Sequence, residues 1–118
     1  MSKDEIGRYL PLTETTYYIL LALIEPRHGY AIMQHTTQVS AGRVKLGPGT
    51  LYGAITKLLA EKIITPQVGG DTAGERRKIY VLTELGRQVL QAEYKRLLEM
   101  VHHGASVITP TSSYKEKK

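Results

Sequence analysis

Gly49, Thr50, Tyr52 and Lys57, followed after a glycine-rich gap by Arg76, Arg77 and Lys78, are the residues whose types and spacing could do chemistry. That chemistry is noncovalent. Backbone N–H groups at a helix start, a hydroxyl, a phenol and four cations are groups that hold phosphate and touch base edges in double-stranded DNA. From Arg43 to Lys78 there are seven cations (Arg43, Lys45, Lys57, Lys62, Arg76, Arg77, Lys78) against three anions (Glu61, Asp71, Glu75). A cationic excess gathered in one stretch suits a surface that faces phosphate.

Covalent and metal chemistry find no support. His28, His35, His102 and His103 lack partners at metal-ligand spacing, and the two adjacent histidines point about 100° apart on a helix. There is no cysteine, so thiolate sites and disulfides are excluded. Gly69-Gly70 is followed by no strand–GxxxxGK–helix and cannot be a phosphate loop. No enzyme, metal or cofactor is expected. The 118 residues suit one domain with one modest core, and 42% hydrophobic with 23% charged residues is an ordinary soluble composition. The net charge of +5 is too mild to argue from alone. Met1-Ser2-Lys3-Asp4-Glu5 lacks the pattern of a signal peptide, and Ile19 to Ile24 is too short to span a bilayer, so a cytoplasmic protein with no membrane partner is expected.

The elements that must position these residues follow from periodicity and caps. Residues 1–12 read as an N-terminal arm ending near Pro11, which disfavours helix in the residue before it. Thr13 caps a helix whose apolar positions Tyr17, Leu20, Leu21, Leu23 and Ile24 make one stripe, closed by Pro26 and a Pro26-Arg27-His28-Gly29 turn. A second helix runs from about Tyr30 to Ser40, with Ile32 and Met33 inward. The third opens at Gly47-Pro48-Gly49-Thr50, where Pro48 loses nothing by lacking an N–H. Its core positions are Leu51, Ile55, Leu58 and Leu59, leaving Thr50, Tyr52, Gly53, Thr56 and Lys57 to solvent. Fourteen residues make roughly 21 Å of helix, enough to lie in a major groove.

Ile63 to Val68 and Lys78 to Leu82 read as two strands joined by a glycine-rich tip, and Pro66 is tolerable where an edge is free. Thr83 then caps a long helix. Leu90, Tyr94, Leu97, Val101, Ala105 and Ile108 recur at i, i+4, i+7, i+11, i+15 and i+18, one stripe flanked by Leu85, Val89 and Leu98. Residues 109–118 are polar, lysine-rich and expected to be a disordered basic tail. The expected fold is mainly α with a two-stranded β wing: a winged helix-turn-helix over residues 13–82 and a dimerisation helix over residues 83–108.

The His28-Gly29-Tyr30 turn, Gly49-Thr50-Leu51-Tyr52 and Arg76-Arg77-Lys78-Ile79-Tyr80-Val81-Leu82-Thr83-Glu84-Leu85-Gly86, in that order, resemble the PadR family of bacterial transcriptional regulators. The resemblance runs from about Leu12 to Val107. Each motif alone is weak, since a Thr-Glu-Leu-Gly helix start is common among winged helices; the three at these spacings are fairly specific. With one C-terminal helix the chain is similar to the shorter branch of that family. The resemblance implies a homodimeric DNA-binding protein, usually a repressor, which either answers to a small-molecule effector or simply follows its own concentration. Drug-sensing members stack planar ligands on a tryptophan of the last helix; this chain has no tryptophan, so that mode cannot be carried over.

Each motif also has a plain reading. Gly-Pro-Gly before a helix is a turn and cap; the functional reading brings Gly49 and Thr50 against phosphate. Tyr52 either touches DNA or packs under the wing. Arg76-Arg77-Lys78 is either a solvated charge run or a phosphate contact, and strand alternation sets Arg76 and Lys78 opposite Arg77, so at least two are expected to reach DNA. The stripe Leu90, Tyr94, Leu97, Val101, Ala105, Ile108 is longer than the small domain can cover and is expected to meet a second copy. Tyr17, Tyr18 and Tyr94 would line any gap between first and last helices, where no buried charge is evident, so a planar, largely apolar ligand is expected there. The rival reading is a winged-helix module that binds protein and not DNA.

Overall fold

The computed structural model describes residues 3–67 and 78–108. Five helices and three short strands follow one another there: α1 (Lys3–Gly7), α2 (Glu14–Ala22), β1 (Arg27–His28), α3 (Gly29–Val39), α4 (Pro48–Ala60), β2 (Ile64–Pro66), β3 (Ile79–Leu82) and α5 (Glu84–Ile108). The glycine-rich wing tip with Arg76 and Arg77, and the tail from Thr109, lie outside the described residues.

The N-terminal arm is partly helical. Its α1 packs on α5, where Ile6 is buried. Thr13 caps α2 as its position suggests: Thr16 N–H donates to the Thr13 hydroxyl oxygen at 3.0 Å. The helix stops at Ala22, earlier than the apolar stripe implies, and Ile24 is 47% exposed rather than core. Ile19 and Ala22 are buried instead. The cause lies at the helix end, where Leu23 leaves helical geometry and the Arg27 Nε–H caps the Ala22 carbonyl at 2.7 Å.

The expected Pro26–Gly29 turn hides a third strand. Arg27 pairs with Tyr80 and His28 with Ile79, so β3 is central and the sheet runs β1-β3-β2, antiparallel throughout. The two-stranded wing is therefore three-stranded at its base. Pro66 sits on β2, an outer strand, where its missing N–H interrupts no ladder on the open side.

α3 and α4 form the helix-turn-helix. Ile32 of α3 and Leu51, Ile55 and Leu58 of α4 face the core with Ile19, Leu20 and Leu23 of the first helix region. The chain leaves α3 through Gly42, whose φ of +84° favours glycine and whose N–H returns to the Thr37 carbonyl at 2.8 Å. α5 is fastened to the end of α4 by Thr83. Its N–H donates to the Ile63 carbonyl at 3.0 Å, its hydroxyl donates to the Lys62 carbonyl at 2.7 Å, and its oxygen accepts from Gly86 N–H at 3.0 Å. Gly86 permits this approach, because a Cβ there would strike the Ile63 carbonyl oxygen.

Only the first part of α5 belongs to that core. Gly86, Val89, Leu90 and Glu93 are its buried residues, and none follows Glu93. Fifteen further helical residues, about 22 Å of helix, carry Tyr94, Leu98, Met100, Val101, Val107 and Ile108 exposed to solvent. Leu90 is thus spent inside the protomer and is a core residue, which corrects its place in the expected two-fold stripe. Leu97 is half-buried, while Tyr94, Val101, Ala105 and Ile108 are exposed as expected. Leu98 and Met100 widen the apolar face beyond the stripe read from spacing.

Candidate nucleic-acid interface

α4 divides its residues by depth as its spacing demands. Leu51, Ile55 and Leu58 are buried, Leu59 is half-buried, and Gly49, Thr50, Tyr52, Gly53, Thr56 and Lys57 are all exposed. Its N-cap is Gly47, which brings no side chain to cap it, and Pro48 opens the first turn. Gly47 therefore leaves the Gly49 and Thr50 amides of that turn without a side-chain cap, a setting suited to an anion. The Thr56 hydroxyl donates back to the Tyr52 carbonyl at 2.9 Å, which leaves its oxygen free to accept.

Tyr52 is both exposed and packed. It is 45% exposed, yet its phenol end lies over Gly29, so that a Cβ on Gly29 would collide with it. It also stands near Tyr80 of β3, whose phenol is pushed up in pKa first by burial and then by Tyr52. One side chain thus joins the start of α3, the outer face of α4 and the base of the wing.

The cations are distributed unevenly. Lys45, Lys57, Lys62 and Lys78 are exposed. Arg43 is paired instead, its Nε 2.5 Å from Glu14 Oε2, so it contributes less positive field than the sequence count implies. Lys57 borders a cleft of about 200 Å³ with Arg8, Thr13, Thr16 and Glu61. Tyr17, Tyr18 and Tyr94 do not line that cleft. Tyr17 and Tyr18 meet edge to face at 5.9 Å, and burial, then Tyr94, Tyr18 and Glu93, raise the Tyr17 pKa.

The expectation that this tyrosine region holds no buried charge is overturned by Glu93, which is 1% exposed. Its Oε1 accepts from Arg96 Nε at 2.6 Å, and its Oε2 accepts from Arg96 Nη2 and from Leu12 N–H, both at 2.9 Å. Arg96 holds the carboxyl below the usual glutamate range against the opposing effect of burial, with Leu12 N–H assisting. The signal was present in sequence: Gly86, Val89, Leu90 and Glu93 fall on one helical face, so the acid stands at a core position. His35 titrates low because of burial and then Arg27. No group of three or more His, Cys, Asp or Glu among the described residues could hold a metal ion. No helix among them is long and apolar enough to cross a membrane.

Residues 19–92 match the transcriptional regulator PadR-like family. The chain is 42% identical over 76 residues to an uncharacterized 37.1 kDa protein in transposon TN4556 of Streptomyces fradiae, an alignment covering 64% of this chain. It spans only 20% of that protein's length. Among solved structures, a PadR-like transcription factor from Bacteroides fragilis is 30% identical, with a TM-score of 0.57 over 86% of this chain and 93% of the other. Bacillus subtilis PadR in complex with operator DNA is 25% identical, with a TM-score of 0.58 over 70% of this chain and 47% of the other.

Proposed function

The chain belongs to the PadR-like family of transcriptional regulators, not to a family of enzymes, and we propose that it is a homodimeric repressor that reads a two-fold-related DNA operator. The observation that carries the reading is the exposed outer face of α4, with Thr50, Tyr52, Gly53, Thr56 and Lys57 turned away from a core that buries Leu51, Ile55 and Leu58. In this account residues 13–82 read DNA and the part of α5 beyond Glu93 joins the two copies. The operator complex of the Bacillus subtilis relative supports the comparison.

α4 enters the major groove. Gly49 and Thr50 approach a phosphate, Tyr52 reaches a phosphate or base edge, and Lys57 neutralises a phosphate farther along. Lys78, with Arg76 and Arg77 of the wing, holds the neighbouring backbone. The apolar face of Tyr94, Leu97, Leu98, Val101 and Ile108 packs against its two-fold copy, since an exposed face of that length is a liability on a lone protomer. A planar ligand entering beside Tyr17, Tyr18 and Tyr94 would release the operator by favouring a non-binding arrangement.

Purified protein incubated with genomic fragments identifies the bound sites, and competition with unrelated DNA measures their specificity. Inverted half-sites about one helical turn, ~34 Å, apart are the expected outcome. Retention of no DNA at low salt would favour the protein-binding module instead.

A further inference from the structure

Glu93 is the point at which α5 leaves the body of the protomer. It is the last buried residue of the helix; from Tyr94 to Ile108 only Arg96, Leu97 and Gly104 are half-buried and the rest are exposed. A carboxylate is an odd choice for a core position, because replacing a buried ion pair by apolar side chains is often neutral or stabilising. What it supplies is direction. Both oxygens are engaged, one by Arg96 alone and the other by Arg96 and the Leu12 amide, the last residue before the α2 cap. An apolar residue could fill the volume but could not tie the helix to one backbone amide 81 residues away.

We propose that Glu93, oriented by Arg96 of its own helix and bonded to the Leu12 N–H next to the α2 cap, is a positioning device that fixes the angle between α5 and the start of the reading domain, and thereby the operator half-site spacing the dimer accepts. This rests on the dimeric DNA-reading function proposed above. Glu93 touches no DNA; it acts through the helix that carries the two-fold contact. The lever is long enough to matter. A 10° swing at Glu93 displaces the far end of about 22 Å of helix by about 4 Å, close to the ~3.4 Å rise of one base pair. Without this clamp, α5 keeps Thr83 at its start, the apolar contacts of Val89 and Leu90 and the packing of α1, but loses the hydrogen bond to the Leu12 amide.

The test uses the full chain and duplexes selected from a random-sequence pool by the wild-type protein. Each selected duplex is remade with one or two base pairs inserted or deleted between half-sites. Wild type, Glu93→Gln and Glu93→Leu are titrated on the series, with sedimentation and thermal melting to establish folded dimers. Glu93→Gln keeps an acceptor for Leu12 and loses the charged grip on Arg96; Glu93→Leu loses both. Wild type should lose about tenfold or more in affinity for a one-base-pair change. The variants should bind the best duplex nearly as well but lose less on respacing, Leu less than Gln. A purely structural role would weaken binding equally at every spacing, and that result, or variant profiles as steep as wild type, overturns the proposal. A wild-type protein that is monomeric or indifferent to spacing overturns both it and the dimeric reading on which it rests.

Discussion

Tyr52 of α4 lies against Gly29 of α3 so closely that a Cβ at position 29 would fall on its phenol, which would have to move. The contact makes the geometry of the helix-turn-helix depend on a residue that also faces solvent on the reading side. Gly29→Ala should displace the phenol and cost less stability than the ~1–3 kcal/mol of overpacking in a core, because the clashing atoms are the outer end of a half-exposed side chain that can swing away. Tyr52→Ala should make the same substitution nearly harmless. Urea unfolding of both single variants and the double variant measures the coupling, and additive losses would mean that the two residues are independent.

Phosphate contacts should show themselves through salt. Lys57→Ala and Arg77→Ala should each weaken binding on every sequence and lower the slope of log K against log salt by about one. Tyr52→Ala should cost more than either and should also change sequence preference if the phenol reaches a base edge. Titrations at two ionic strengths separate these effects. An unchanged slope for Lys57→Ala would place that lysine away from DNA.

In the proposed dimer the projecting half of α5 is covered by its two-fold copy. Val101→Asp, at a residue 67% exposed in the protomer, should leave the fold intact and break the dimer. Leu97→Asp should be harsher, since Leu97 is half-buried and its loss could also unfold the helix. Sedimentation at micromolar concentration decides: a monodisperse wild-type monomer would refute the two-fold interface.

Glu93 also predicts a pH response. Its folded-state pKa is held down by Arg96 and then by Leu12 N–H, against burial, with Tyr17 close by. Its stabilising contribution is therefore full above the unfolded pKa of about 4.3 and is lost as pH falls through the lower folded value. The urea midpoint of wild type should drop more steeply below about pH 4 than that of Glu93→Leu. Parallel curves would show that the clamp contributes nothing through its charge.

The helices were legible because each is marked by its own residues. Thr13 and Thr83 announce caps, Pro48 a first turn, and Leu51, Ile55 and Leu58 an apolar face, and all behave accordingly. The outward set Thr50, Tyr52, Gly53, Thr56 and Lys57 was readable for the same reason, as the complement of that face. What escaped depends on partners distant in sequence. Two residues, Arg27 and His28, are too few to show alternation, and they become a strand only because β3 offers a free edge. Leu90 looks like the start of a dimer stripe, yet α5 leaves the core only after Glu93. Glu93 itself was passed over because apolar residues define a stripe, and its burial is intelligible only with Arg96 and Leu12 in view.

The central claim is that the outer face of α4 and the wing cations form one DNA-reading surface. It is tested most directly by titrating a selected operator with wild type and with the Tyr52→Ala, Arg76→Ala, Arg77→Ala triple variant, at about 50 and about 200 mM salt. The account expects the triple variant to lose well over tenfold in affinity, to show a shallower salt dependence, and to remain a folded dimer. Binding by the triple variant indistinguishable from wild type at both salt concentrations would contradict it.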